Sequence, residues 1–192
     1  MKYCIFLFFT LLCYTAYAQL NVRVQWQFNR SADSGDTIYY EADRKLEWKD
    51  FKGDPERRSI AAAETSSGFG YDQSMKSRNG KGTIIITVYC FYNKFKSWVK
   101  PGMRSDYALT HEQHHFDITY IQTCLFIKKL KAAVFSLNNY NEVVEKIYDE
   151  CFRELENNQN TYDSQTRNGQ LKNIQEAWNR KIEDQLAALV TN

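Results

Sequence analysis

Proline and glycine are scarce in this chain of 192 residues, which contains only 2 Pro and 8 Gly. Together with an aromatic content of 15%, this scarcity excludes collagen-like, linker-rich and disordered classes. An excess of one charge is also lacking, because 25 Lys and Arg face 23 Asp and Glu. Such a balance provides no strong field to hold phosphates, so no nucleic-acid partner is expected. The length suits one compact domain with its own core.

Long apolar runs are missing after the first 18 residues, which have a pattern of their own. A basic start at Lys2 leads into an apolar stretch at 4–13 and then into Ala16-Tyr17-Ala18. This order is typical of a secretory signal peptide, and the stretch is too short to span a bilayer comfortably. We therefore predict an exported protein with a signal peptide at 1–18 and a single domain at 19–192. No membrane span is expected in the mature chain.

Cysteine pairs with CxxC spacing are absent, so a structural zinc site built from thiolates is not expected. Removal of residues 1–18 leaves Cys90, Cys124 and Cys151. Cys124 and Cys151 lie on two successive predicted helices, and the sequence leaves open whether they form a disulfide. Cys90 alternates with apolar strand residues, which predicts a buried free thiol.

The first half of the mature chain has the pattern of strands and turns. Strands are predicted at 37–40, 45–48, 61–71 and 83–95, with a turn at 79–82. Gly68 and Gly70 are expected to weaken their strand or to mark a bulge. The strand at 83–95 is apolar on both faces, which predicts a central position in a mainly antiparallel sheet.

The second half changes to a helical period. Helices are predicted at about 105–133, 141–157 and 170–189. The polar segment 157–168 between the last two is expected to be irregular. Strands first and helices afterwards predict an α+β domain, with an N-terminal mainly antiparallel sheet followed by three helices.

All three histidines lie within five residues of the first predicted helix, and two of them form an H-E-x-x-H pattern with Glu112. On a helix, His111 and His115 lie about 40° apart, so both imidazoles reach one cation. Glu112 lies beside that face, where it can take a proton from a metal-bound water. A zinc ion with three protein ligands keeps one position open for that water. The pattern therefore predicts a zincin-like metal helix, with His111 and His115 as zinc ligands and Glu112 as the catalytic base.

Two neighbours of the motif have open interpretations. His114 lies on the flank opposite Glu112, where it either lines the cleft or competes as a ligand. Asp117 lies about 200° around the helix from His115. It cannot share the metal and is expected to be a surface charge or a charge behind the ligands.

Further recognisable segments accompany the motif. They are 46–53, 61–68, 97–99, 111–117 and 162–169, the last of which carries Tyr162-Asp163-x-x-Thr166. With these segments the chain resembles a bacterial family of exported proteins of unknown function, described as predicted secreted zinc-dependent proteases. The resemblance implies a periplasmic or secreted metalloprotease domain acting on a peptide or protein substrate. Two positions depart from the family, which tends to have a small residue at His114 and a histidine at Asn168.

The third metal ligand is expected to be a carboxylate, because no histidine remains outside the cluster. Asp163 is the predicted ligand, placed in a loop at the start of a helix and within the resemblance. The Asn168 position and Glu154, one turn from Glu150 on the second helix, are the alternatives. Tyr162 either stabilises oxyanion charge in the cleft or packs in the core.

Taken together, these residues predict an exported zinc-dependent metallopeptidase that hydrolyses peptide bonds with a metal-bound water. One alternative is a catalytically impaired metal-binding or interaction module of the same fold, favoured by the loss of the family histidine at Asn168. The other is a zinc hydrolase acting on a non-peptide amide or ester, since the same chemistry serves any polarised carbonyl.

Overall fold

A computed structural model describes residues 19–27, 33–78 and 81–190 of the chain. The predicted signal peptide at 1–18 and the Asn79-Gly80 part of the predicted turn lie outside these residues. Within the described part, no helix is both long and apolar enough to cross a membrane.

Strands come first and helices second, which confirms the predicted α+β class. The strands are β1 Gln19–Trp26, β2 Asp33–Ser34, β3 Thr37–Tyr39, β4 Ala63–Glu64, β5 Ser67–Arg78, β6 Lys81–Asn93 and β7 Trp98–Val99. The helices are α1 Asp106–Ala132, α2 Tyr140–Thr166 and α3 Lys172–Val190, and a 3-10 turn covers Trp48–Asp50.

The main sheet is built around β6, the strand that the sequence predicts to be central. β5 pairs antiparallel with β6 along one edge. On the other edge, β1 runs parallel to the first part of β6 and β3 runs antiparallel to its end. The even residues of β6 from Ile84 to Tyr92 are all buried, because this face packs against the helices. The mainly antiparallel sheet is thus confirmed, with β1 as its parallel member.

The two glycines of β5 neither interrupt the strand nor mark a bulge, since the pairing register with β6 is constant along its length. Gly68 lies opposite Phe91, and Gly70 lies opposite Tyr89. A Cβ atom at either glycine would come within 2.9 Å of the facing aromatic ring. The glycines therefore make room for two large rings on the neighbouring strand, which the expectation of a weakened strand did not consider.

The predicted strand at 45–48 does not form. The Asp50 carboxylate instead accepts a hydrogen bond from the backbone N–H of Glu47 at 2.8 Å. Nη2 of Arg44 also donates to both oxygens of this carboxylate. A short acidic side chain that bonds nearby backbone favours a turn over a strand ladder. β4 and β7 pair with each other in a separate two-stranded sheet. The sequence analysis assigned neither β1 nor β7 as a strand.

The first helix matches its prediction, but α2 is longer than predicted. Ser105 caps α1 by accepting a hydrogen bond from the backbone N–H of Ala108 at 3.1 Å. The segment 157–166, predicted to be irregular, is the last part of α2. The buried stripe of this helix continues beyond Leu155 to Tyr162 and Thr166 at seven- and four-residue steps. Because the solvated face of this segment carries many polar residues, the sequence does not predict that the helix continues.

The cysteines Cys90, Cys124 and Cys151 are all free, so the possible Cys124–Cys151 disulfide does not form. The face of α1 towards α2 carries Gln122, whose amide donates to Glu154 at 2.8 Å. Cys124 lies two residues further on, about 200° around the helix, and cannot reach Cys151. Cys90 is fully buried, which confirms its prediction as a buried free thiol.

Helix α1 lies in the middle of the molecule. One side packs on the sheet, where Phe126 and Leu130 join Ile86 in one core cluster and Phe116 joins a second. The other side contacts α2 and α3. The predicted metal helix is therefore enclosed by other elements along most of its length, which fixes the orientation of its side chains.

Candidate metal centre

The antiparallel packing of α1 and α2 brings the two motif histidines to one carboxylate. The Nε2 atom of His111 lies 3.2 Å from Oδ1 of Asp163, and the Nε2 atom of His115 lies 3.0 Å from the same oxygen. Possible ligand atoms of the three residues all lie within 4.8 Å of one another. This cluster of His111, His115 and Asp163, the metal group, is mostly buried and can hold a metal ion.

Asp163 reaches the histidines from a different element than predicted. It belongs to the last turn of α2 and is not in a loop at the start of a helix. The alternative acids are not in the group: Glu154 accepts hydrogen bonds from Lys129 and Gln122 instead, and Glu150 is one turn before it. A ligand on a regular helix is held more rigidly than one on a loop.

Two glutamines determine which ring nitrogen of each histidine faces Asp163. The Nδ1 atom of His111 lies 2.8 Å from Oε1 of Gln175, and Nδ1 of His115 lies 2.5 Å from Oε1 of Gln159. The amide of Gln159 is oriented by its Nε2, which donates to the carbonyl of His115 and to the hydroxyl of Thr119. Both Nδ1 atoms therefore carry the proton, and both Nε2 lone pairs point to the carboxylate.

Gln175 is oriented in the same way from α3. Its Nε2 donates to the hydroxyl of Tyr162 and to Oδ1 of Asn179. The Tyr162 hydroxyl in turn donates to the backbone carbonyl of His111 at 3.3 Å. Three acceptor atoms thus converge with their lone pairs on one place. Such an arrangement is stable only with a cation there, either a proton or a metal ion.

The pKa values of His115 and Asp163 reflect the close approach of the two side chains. Burial alone lowers the pKa of His115, but its hydrogen bond to the Asp163 carboxylate and the charge of that group outweigh burial and raise the pKa to about 9. For Asp163, burial raises the pKa, and the hydrogen bonds from His111 and His115 outweigh it and hold the pKa well below its usual range. The carboxylate is therefore ionised and attracts a cation.

Glu112 lies next to the group with an unused oxygen. The side chain is only 4% exposed, and its Oε2 atom has no hydrogen-bond partner among the described residues. Burial raises the pKa of Glu112, partly offset by His115 and His111. The Thr65 hydroxyl donates to the backbone carbonyl of Glu112 at 3.2 Å, which ties this turn of α1 to the chain beside β4. A buried carboxylate with one unpaired oxygen and a raised pKa is suited to accept a proton.

Tyr162 packs behind the ligands, which confirms the packing alternative over an oxyanion role. Its ring stacks on His111 with centroids 4.6 Å apart and is fully buried. The residue therefore orients the His111 ring and does not face the cleft.

The turn after α2 packs against the site at His111. The Thr166 hydroxyl donates to the carbonyl of Tyr162 and accepts from the backbone N–H of Gly169. Arg167, Asn168 and Gly169 all have positive φ. A Cβ at Gly169 would lie 3.3 Å from the ring of His111, so glycine fits both the conformation and the space. The Tyr-Asp-x-x-Thr pattern thus combines a packing residue, a ligand and a helix end.

His114 and Asp117, the two neighbours of the motif, are both buried. His114 is buried, does not line the groove and is absent from the metal group, so neither interpretation of it holds. Burial lowers the pKa of His114, which lies against Asn179 of α3. Asp117 is 2% exposed and accepts hydrogen bonds from Tyr40 and Gln113, so the surface interpretation is wrong. The sheet covers that side of α1.

A groove of about 910 Å³ lies over the metal group. Its floor is α1, and its walls are the chain at 59–67 and the face of α2 from Phe152 to Asp163. His111, His115 and Glu112 line it, and Asn168 lies at one end. The metal group therefore faces a long open groove.

The sequence analysis missed the two glutamines that orient the histidines. Gln159 lies four residues before Asp163, so it would share a helix face with Asp163 had the prediction continued α2 to Thr166. Gln175 comes from α3 and lies 64 residues from His111, without a local pattern to indicate its role.

Comparison of the chain with models of protein families, with curated proteins and with solved structures finds no match. The resemblance to secreted zinc-dependent proteases therefore stays a prediction, and the argument for function depends on the geometry of the site.

Proposed function

We propose that this protein is an exported zinc-dependent metallopeptidase, with His111, His115 and Asp163 as ligands and Glu112 as general base. One observation carries the proposal. Two Nε2 atoms and an ionised carboxylate converge beside a buried glutamate with one unpaired oxygen, at the floor of a groove. Convergent acceptors favour a metal ion, and the glutamate beside them favours hydrolysis over a purely structural role.

The donor set fits zinc. Imidazole nitrogens and a carboxylate oxygen are among its common ligands, and three protein ligands are typical of its catalytic sites. Hydrogen bonds from both Nδ1 atoms to Gln159 and Gln175 are the outer contacts that such histidines usually make. Zinc, when bound, supplies Lewis acidity, which polarises a substrate carbonyl and lowers the pKa of a water molecule.

The chain's own groups perform the proton transfers. Glu112 accepts the proton of the attacking water at its unpaired Oε2 and passes it to the leaving amine. Burial keeps the pKa of Glu112 above its usual value, closer to the range in which a carboxylate both accepts and returns a proton. Tyr162, Gln159 and Gln175 hold the histidine rings, so that little reorganisation is needed during the reaction.

The shape of the groove supports a peptide substrate over a small amide or ester. It extends along α1 past the metal group, between the chain at 59–67 and α2. A small ester would contact only a fraction of these walls, whereas an extended chain contacts both.

A catalytically impaired module of the same fold is the alternative. Its main support is Asn168 in place of a family histidine. Asp163 supplies a third donor without any contribution from position 168, so this support is weak. Export is proposed from the pattern at 1–18, and it places the protein in the periplasm or outside the cell.

The first prediction tests catalysis directly. In Glu112→Gln, zinc content is expected to stay at one ion per chain, while kcat/KM for peptide hydrolysis falls roughly 10²–10⁴-fold, because the proton acceptor is lost. Zinc content is measured by elemental analysis, and hydrolysis with a quenched-fluorescence peptide mixture. His111→Ala and His115→Ala are expected to lose zinc as well as activity.

Glu145→Gln is the matched control, since Glu145 is an exposed residue of α2 outside the groove. It is expected to behave as wild type. A fully active Glu112→Gln variant, or a wild-type protein without stoichiometric zinc, would refute the metallopeptidase proposal. A zinc-loaded wild type without any hydrolysis would favour the impaired module.

A further inference from the structure

The groove over the metal group carries a large exposed apolar side chain on each wall. Ile60, on the wall at 59–67, is 84% exposed, and Phe152, on α2, is 41% exposed. Large apolar residues that remain accessible inside a groove favour contact with a ligand.

The two residues lie at opposite ends of the groove. Thr65 contacts Glu112, and Ser67 lies 2.7 Å from Thr119 further along α1, so this wall runs in the same direction as α1. Ile60 precedes Thr65 and therefore lies towards the start of α1.

Phe152 lies towards the other end of α1. Because α2 is antiparallel to α1, residues before Asp163 lie progressively further along α1. Gln122 of α1 bonds to Glu154 of α2, which places Phe152 beyond the middle of α1. The metal group thus lies between Ile60 and Phe152.

The spacing corresponds to several residues of an extended peptide. Phe152 lies eleven residues before Asp163, a rise of about 16 Å and a rotation of only about 20°, so both side chains share one face of α2. Ile60 lies five residues from Thr65, at most about 17 Å away. An extended chain rises about 3.3 Å per residue, so the distance to Phe152 corresponds to about five residues and the distance to Ile60 to five at most.

We propose that the groove binds an extended peptide segment of up to about ten residues, with apolar side chains near its two ends against Ile60 and Phe152. The bond to be hydrolysed then lies near the middle of the segment, which makes the protein an endopeptidase. This inference rests on the proposed metallopeptidase function for the cleavage, but not for the binding.

One opposing possibility is removal of a C-terminal residue. A carboxypeptidase needs a cation beyond the metal to hold the terminal carboxylate. Lys172 is the one lysine or arginine among the described residues that line the groove, and its ammonium lies 5.7 Å from the ring centroid of Tyr107. It is exposed on the surface, so it provides no enclosed pocket for a terminal carboxylate.

Binding is tested apart from hydrolysis with the Glu112→Gln protein. Two fluorescent decapeptides, blocked at both ends, are compared by anisotropy: one with leucine at both end positions and one with serine there. We expect the leucine peptide to bind at least about tenfold more tightly, from burial of two apolar side chains. Metal-free and zinc-loaded forms are both measured, so the preference is determined whether or not zinc binds.

Variants locate the two contacts. Ile60→Ser and Phe152→Ser, made in the Glu112→Gln protein, are each expected to remove about half of the preference in free energy. Val134→Ser is the matched control, because Val134 is 87% exposed outside the groove. Equal affinity for both peptides, or an equal loss with Val134→Ser, would overturn the proposal. Ile60→Ser is not expected to disturb folding, because Ile60 is 84% exposed. Its result therefore tests the proposal even if Phe152→Ser folds poorly.

The cleavage position is tested with wild-type zinc protein and the leucine peptide lengthened by two residues at each end. Mass spectrometry is expected to show a single internal cut about five residues from each leucine. Stepwise loss of terminal residues would overturn the endopeptidase assignment. Selective binding without any cleavage would leave the groove proposal standing and refute the proposed function.

Discussion

Single hydrogen bonds determine the tautomer and the ring orientation of the two histidines in this site. Gln159 and Gln175 each present an oxygen to an Nδ1 atom, because other groups occupy their nitrogens. Without these acceptors, a histidine is free to adopt the other tautomer or to rotate its ring. In the proposed metal site, Gln159 and Gln175 would therefore contribute to metal affinity through the histidines that they orient.

The second prediction concerns Gln159. Gln159→Leu removes the acceptor for His115 Nδ1 and is expected to weaken zinc binding about 10–100-fold, measured by competition with a chromophoric chelator. Gln159→Glu keeps an acceptor at this position and should retain most of the affinity. Gln165→Leu is the control, because Gln165 is exposed and its side chain accepts only from the half-buried indole of Trp178. Unchanged affinity in Gln159→Leu would show that the ring is held by packing alone.

The third prediction concerns pH. In the metal-free protein, Asp163 raises the pKa of His115 to about 9, so a metal ion must displace a proton from His115 at neutral pH. Zinc affinity is therefore expected to rise about tenfold per pH unit up to about pH 9, with release of about one proton at pH 7. Calorimetry in buffers of different ionisation enthalpy measures that proton. Affinity independent of pH between 6 and 8 would contradict it.

The same pair sets the pH dependence of stability without metal. The folded pKa of His115 lies above its usual value near 6.5, so its contribution is complete below about pH 6.5 and is lost as the pH rises to about 9. The folded pKa of Asp163 is lowered, so its contribution is present above about pH 4 and is lost as the pH falls. Thermal unfolding of metal-free protein across this range checks both signs.

At the scale of elements, the turn that follows α2 determines how closely the backbone approaches His111. Thr166 ends the helix, and the three following residues with positive φ bring the Gly169 backbone against His111. The Tyr107 hydroxyl donates to the Gly169 carbonyl at 2.6 Å and joins this turn to the start of α1. The end of α2, the turn after it and the start of α1 are therefore joined by direct contacts.

The fourth prediction compares two glycines. Gly169 and Gly102 have nearly equal φ, 77° and 78°, but an added Cβ contacts His111 only at Gly169. Alanine at either position is expected to reduce the free energy of unfolding by about 1 kcal/mol, because both need the left-handed conformation. Only Gly169→Ala should also weaken zinc binding. Equal zinc affinity in the two variants would show that the turn does not position the ring.

Local patterns predicted the elements whose contacts are local. The H-E-x-x-H spacing and the Ser105 cap lie within one helix, so His111, Glu112 and His115 were placed correctly on α1. The end of α2 was predicted wrongly, because its buried stripe is thin and its other faces are polar. Asp163 was nevertheless predicted as the third group of the cluster, from the resemblance and from its carboxylate chemistry.

Contacts between distant segments were not predictable in the same way. Gln175 reaches His111 only because α3 packs on α1. The parallel pairing of β1 with β6 joins residues about sixty positions apart and needs no recognisable turn. Such features depend on the packing of whole elements, for which a single sequence contains no periodic pattern.

At the scale of the whole molecule, the site joins all three helices over one sheet. α1 supplies the histidines and Glu112, α2 supplies Asp163 and Gln159, and α3 supplies Gln175. The sheet supports α1 from below, through Phe126 and Leu130 against the even residues of β6. β1 is one edge of that support. The position of the predicted signal-peptide cleavage therefore bears on the fold.

The fifth prediction concerns that position. Among the described residues, the pairing of β1 with β6 runs from Gln19 opposite Lys81, directly after the predicted cleavage site at Ala18. Cleavage there keeps every described pair of the two strands, whereas cleavage several residues later would remove pairs with β6. Intact-mass measurement of exported protein is expected to show a chain beginning at Gln19. Ala18→Arg should block processing, because the cleavage site needs a small residue, and should leave the precursor at full length. Serine at position 18 is the control and should be processed normally. An exported wild-type protein that keeps residues 1–18 would mean that the apolar stretch is an anchor.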